Sequence, residues 1–264
     1  MNQQRISVLS MLSVLCAVSC QGLDKSEGTP GERGLVEFAY HGGCLFGCPI
    51  EQPLLSGSHQ QIQVSDPGDG PGVEVRSSDE DVARFSVERS CFCERDDSTR
   101  RLDIATDASC ESPWHKHCDN DVAVEAGKPG EAWLDLRDAT GERLDRVQVL
   151  VRDAERCDFR VMLDDQFGAI HTTHVETAAG KSFELTAMLF DDKGRSLLAA
   201  DGVQWHSSDA EIAELSAWLA GSGADVSTGL SVTVRVQAAG SAEIGLRVPG
   251  LDTAEAHVSL DAQP

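Results

Sequence analysis

The residues best equipped for chemistry lie in the first half of the chain. His41, Cys44 and Cys48 stand together, Cys91 and Cys93 follow, and Cys110, His115, His117 and Cys118 form a third group. Thiolate and imidazole are ligands that zinc and copper favour, so these residues could build a metal site with His41, His115 and His117 as nitrogen donors. The spacing opposes that: no C-x2-C pair recurs at finger-like intervals, and Cys91 and Cys93 are tight for two ligands on one ion. In an oxidising compartment the same cysteines become disulfide staples. With Cys157 they number seven, so at most three internal bridges form and one thiol is left over. A Cys110–Cys118 bridge is expected, because its short loop closes easily and Pro113 helps it turn. Cys91 and Cys93 point to one side of a strand, so each takes a different partner, Cys44 or Cys48 being natural ones. Cys157 is either the odd thiol or a clasp back to the first half. Six cysteines allow 15 pairings, and the full connectivity stays open.

Other chemistry is scarce. His171 and His174 form a short pair with no acid or third histidine suitably spaced along the sequence. Asp164-Asp165 and Asp191-Asp192 offer hard oxygens but not the spaced pattern of a calcium loop, and Asp191-Asp192-Lys193-Gly194 reads as a hairpin turn. There is no nucleophile elbow, no helix-borne His pair with Glu and no phosphate-cradling Gly loop. The sequence therefore points to no catalytic residue and no cofactor.

The compartment is read from the front of the chain. Arg5, the apolar run Ile6 to Val18, and small residues before Cys20 make an export signal, too short to span a bilayer as a mature helix. Leu15-Cys16-Ala17-Val18-Ser19-Cys20 resembles the lipobox of bacterial lipoproteins. That resemblance implies cleavage after residue 19, acylation of Cys20 and attachment to a membrane through the lipid. Gln21 replaces the Asp that marks inner-membrane retention in enteric bacteria, which favours the outer membrane. Residues 20–34, polar and Gly-rich, read as a flexible tether.

The chain has 264 residues and a net charge of −22. Removing residues 1–19 takes away only Arg5 and makes the mature chain one unit more acidic. Such a field repels nucleic acid, whose binding needs clustered Lys and Arg. The length suffices for two domains.

The elements that must hold these residues are short strands. From Leu35 onward apolar and alternating runs are separated by turn residues, among them Leu35–Tyr40, Val73–Arg76, Ala132–Leu136, Ser182–Phe190, Ser231–Val236 and Ala256–Leu260. The one helical expectation falls at 214–220. The segment Gly202-Val203-Gln204-Trp205-His206-Ser207-Ser208-Asp209-Ala210-Glu211-Ile212-Ala213-Glu214-Leu215, with Val232–Val236 and Ala238–Ile244, resembles bacterial immunoglobulin-like domains of group 2. Val73–Phe85, with its own Ser77-Ser78-Asp79, repeats it more faintly. The expected fold is all-β: two immunoglobulin-like sandwiches, a disulfide-rich one at 35–153 and a second at 154–264. The resemblance implies an extracytoplasmic envelope setting and no catalysis. The expected role is a non-catalytic structural or adhesion-like binding module with a protein or glycan partner. The insertion at 91–118, with Trp114 inside it, is the expected contact surface. A metal-handling protein built on His41, His115, His117 and the cysteines is the first alternative, an envelope hydrolase the second.

Overall fold

The computed structural model describes residues 28–41, 48–64, 73–94, 101–105, 108–112, 114–163, 170–199, 201–217, 230–248 and 256–264. The signal, Cys20, the start of the tether and Cys44 lie outside them. The described residues form strands and turns and contain no helix.

The first sandwich is built from β1 (Thr29–Pro30), β2 (Glu37–His41), β3 (Cys48–Pro49), β4 (Leu54–Leu55), β5 (His59–Val64), β6 (Glu74–Ser77), β7 (Ala83–Glu94), β8 (Arg101–Ile104), β9 (His115–Ala126), β10 (Gly130–Arg137) and β11 (Arg143–Arg152). One sheet has the order β1-β2-β5-β9-β7-β8, with β3 also on β2; the other is β4-β11-β10-β6. Taking β2, β5, β9 and β7 as strands A, B, E and D, and β6, β10 and β11 as C, F and G, gives the immunoglobulin arrangement. Alternation sets the faces: in β10 and β11 every second residue is buried, and Phe38, Tyr40, Ile62, Leu134 and Val149 meet between the sheets.

The second sandwich uses β12 (Arg156–Leu163), β13 (Ile170–His171), β14 (His174–Ala178), β15 (Ser182–Phe190), β16 (Gln204–Ser207), β17 (Ala213–Ala217), β18 (Ser231–Val236), β19 (Gly240–Arg247) and β20 (Ala256–Gln263). Its sheets are β13-β12-β15-β18-β17 and β14-β20-β19-β16. A-B-E-D and C-F-G recur, and β14 runs parallel to β20 as β4 does to β11. Residues 213–217 are a strand and not the start of a helix. Pairing with β18 buries Ala213 and leaves Glu214 in solvent, so the sheet overrides local helix preference.

The repeat extends to individual hydrogen bonds. Ser77 Oγ accepts the N–H of Asp79, Asp79 Oδ1 accepts that of Asp81, and the Asp79 carbonyl accepts that of Ala83. In the second sandwich Ser207, Asp209, Glu211 and Ala213 make the same set. The middle serines fasten this turn to strand F, Ser78 Oγ accepting from Trp133 N–H and Ser208 Oγ from Glu243 N–H, each at 2.8 Å. Serine and aspartate belong here because short polar side chains can bond the backbone two residues on. Asp209→Ala is therefore expected to lower stability by about 1 kcal/mol in urea unfolding.

The sandwiches interlock. Only Asp153-Ala154-Glu155 separate β11 from β12. Leu54 and Leu55 point to opposite sides of β4: Leu54 fills the first core and Leu55, fully buried, the second. Leu198 crosses the other way into the first core. Backbone bonds fix the exchange, Leu55 N–H donating to the Leu198 carbonyl at 2.8 Å and Leu198 N–H to that of Pro53 at 2.9 Å. Asp201 accepts the backbone N–H of His59 beside this seam.

The chain also joins the first sandwich earlier than the expected tether boundary at residue 34. β1 pairs with β2, and Asp145, fully buried, accepts the backbone N–H groups of Arg33, Leu35, Val36 and Arg146 at 2.8 to 3.2 Å. Gly31 lies against that carboxylate, where any Cβ would overlap it.

Candidate functional site: a stapled arm

The cysteine-rich insertion is a hairpin extension, not a loop. β7 and β9 stay paired from Ala83↔Ala126 to Glu94↔His115, whereas β5 accompanies β9 only between Glu125 and Asp121. The six outermost pairs, Arg89–Glu94 with His115–Asn120, therefore run about 20 Å beyond the sheet at 3.3 Å per residue. β8 adds a third strand, from Cys91↔Ile104 to Glu94↔Arg101. Lys116 Nζ donates to the Ala108 carbonyl at 2.6 Å and ties the segment after β8 to β9.

An arm without a second sheet behind it has little core, and covalent links compensate. Cys93, 5% exposed, is bonded to Cys110 across 17 residues, with Cα atoms 5.7 Å apart. Closing a loop of that size restrains the unfolded chain by about 3 kcal/mol in the chain-entropy account. Cys48 and Cys91, both buried, are disulfide-bonded as well. The expected Cys110–Cys118 bridge is not formed. From His115 onward the chain is a strand leading away toward the sandwich, and the ladder sets the backbone of Cys118 opposite Cys91. The side chains of His117 and Cys118 lie outside the described residues.

Cys157, on β12 opposite Leu189, is the free cysteine among the described residues. Burial, reinforced by the Asp158 charge, pushes its thiol up to about 12, so the nucleophilic thiolate is scarce at neutral pH. Alkylation at pH 8 is expected to be slow in the native protein and to reach one equivalent in unreduced denaturant, as read by thiol titration.

Among the described residues, the metal reading of the first domain loses its cysteine ligands. Disulfides occupy Cys48, Cys91, Cys93 and Cys110. His41 pairs with Gln61, which faces Ala123 of β9, while His115 lies eight residues farther along β9, about 26 Å away in an extended strand. Those two imidazoles cannot share an ion. Trp114 is half-buried where the chain enters β9, its N–H donating to the Glu111 carbonyl. Leu102 on β8 is 53% exposed.

A serine, a histidine and an aspartate do meet elsewhere: Ser259 Oγ lies 3.2 Å from His174 Nδ1, and Asp261 Oδ2 lies 3.7 Å from His174 Nε2. They are not a hydrolytic triad. Asp261 stands beyond hydrogen-bond distance of the ring, and Ser259 Oγ has a second acceptor in the Thr173 carbonyl at 3.1 Å. Sequence spacing missed this cluster because β14 and β20 pair in parallel and bring together residues far apart in the chain.

No family model and no curated protein matches the chain. Among solved structures it is similar to domains 4 and 5 of the S-layer protein SbsC, at 21% identity over 53% of this chain and 69% of that one, with a TM-score of 0.29. The Escherichia coli adhesin FdeC is 13% identical over 87% of this chain and 64% of its own, TM-score 0.29. The D00-D0 domain of intimin is 12% identical over 85% and 96%, TM-score 0.25. The immunoglobulin fold assigned above rests on strand order, not on these likenesses.

Proposed function

We propose that this chain is a non-catalytic module of the bacterial cell envelope, tethered by a lipid on Cys20, with the outer membrane favoured. In this reading two group 2-like immunoglobulin domains form a rigid block that presents the stapled arm to a protein or glycan partner. The observation that carries it is the arm itself. A hairpin six pairs longer than its sheet requires, with cysteines buried in disulfides, is costly to order and adds nothing to either core. Leu102 and Trp114 are the apolar groups it offers for contact. A photoreactive residue at position 102 of the full chain, tested in intact cells, is expected to give a discrete cross-linked adduct. The same residue at Met162, 51% exposed on β12, is expected to give none. Adducts at 162 alone, or equally at both, would remove the arm from this role.

A further inference from the structure

The outer face of the second sandwich's C-F-G sheet holds a histidine between two carboxylates. The parallel register of β14 and β20 sets His174 beside Ser259 and Glu176 beside Asp261. Because Val175 and Leu260 point into the core, these four side chains share the solvent face. His174 Nε2 lies 3.5 Å from Glu176 Oε1 and 3.7 Å from Asp261 Oδ2. Donors on one tetrahedral zinc ion, each about 2.1 Å from the metal, stand about 3.4 Å apart.

The surrounding hydrogen bonds accommodate a tautomer with a bare Nε2. Ser259 Oγ lies 3.2 Å from His174 Nδ1 and 3.1 Å from the Thr173 carbonyl; with its hydroxyl proton on Thr173 it accepts from Nδ1–H and leaves Nε2 bare. In that tautomer the lone pair of Nε2 faces two carboxylates, a set of donors suited to a cation. Asp261 is supported in the same way: Ser241 donates to its Oδ1 at 2.6 Å and leaves Oδ2 facing the histidine. Hydroxyls behind both a ring nitrogen and a carboxylate are the outer support that metal ligands use.

We propose that His174, Glu176 and Asp261 bind a divalent transition-metal ion, best suited to zinc by one imidazole and two carboxylates, with water completing the coordination. No three such groups among the described residues close on one point as they stand. Glu176, 77% exposed, completes the set by turning about its own side-chain torsions. The site is separate from the arm and does not rest on the arm's role.

The test is calorimetric titration of Zn²⁺ into the full mature protein with its disulfides intact, near neutral pH because protons compete for the ligands. One saturable site per chain is expected, weakened at least about tenfold in His174→Ala and in Asp261→Asn. Glu176→Gln, at the most exposed position, serves as a third variant should either of these misfold. Absence of saturation up to about 1 mM would overturn the proposal, leaving His174 a surface ion pair of little consequence. Binding that persists unchanged in the variants would overturn it too, by assigning the zinc to other ligands.

Discussion

Replacing Asp145 by alanine is expected to cost the first sandwich roughly 4 kcal/mol and to release residues 28–36 from it. Both oxygens of this buried carboxylate are committed, Oδ1 to the N–H groups of Arg33 and Arg146 and Oδ2 to those of Leu35 and Val36. Alanine would leave those donors without their acceptor and open a void beside Gly31. Asparagine is no rescue, since its NH₂ would face two N–H donors whichever way the amide turned. Burial alone would raise the carboxyl's pKa, but the backbone donors of Arg33, Arg146, Leu35 and Val36 outweigh it and hold the group below the usual carboxylate range. A folded-state pKa below the unfolded value of about 3.9 adds stability that is complete above that value and is lost as pH falls through the folded one. Urea unfolding and amide exchange at Leu35 and Val36 check both parts. A loss under about 1 kcal/mol, or no acid dependence relative to the variant, would count against the clamp.

The second large effect is expected at the seam. Leu55→Ala or Leu198→Ala should each remove about 3 kcal/mol, because each side chain is buried in the core of the other sandwich. The more telling readout is cooperativity. The wild-type protein is expected to melt in one calorimetric transition, and the double variant Leu55→Ala/Leu198→Ala in two. The paired backbone bonds between Pro53–Leu55 and Leu198 persist in these variants, so any splitting reports on the leucine exchange. Two transitions in the wild type would show that the sandwiches are not coupled through this contact.

Much of the fold was legible because alternation is enforced wherever one strand face is buried. Ser182–Phe190 and Ser231–Val236 have the boundaries expected from sequence, and the two Ser-Ser-Asp turns declared the repeat. The arm was illegible for the complementary reason. Beyond β5 its strands have no facing sheet, and Cys91, Phe92 and Cys93 are buried in succession on both faces, so the period-two signal disappears. The bridge from Cys110 followed from that error: Cys118 looks near in sequence, but a strand carries it away from Cys110. Asp145 is one acid among many in composition. Its signal was positional, since it takes an inward place in the series Asp145, Val147, Val149, Val151 of β11. His174, Glu176 and Asp261 left no such trace, because the pairing that unites them joins strands far apart in the chain.

The most direct test of the envelope-module account is the intact mass of protein extracted from membranes, taken with alkylation before and after reduction. A mature chain beginning at Cys20, as the account proposes, would carry eight cysteines. The account predicts an acylated Cys20 at the N-terminus, one alkylated thiol in unreduced denaturant, from Cys157, and seven after reduction. An unmodified N-terminus, or several thiols alkylated before reduction, would contradict it.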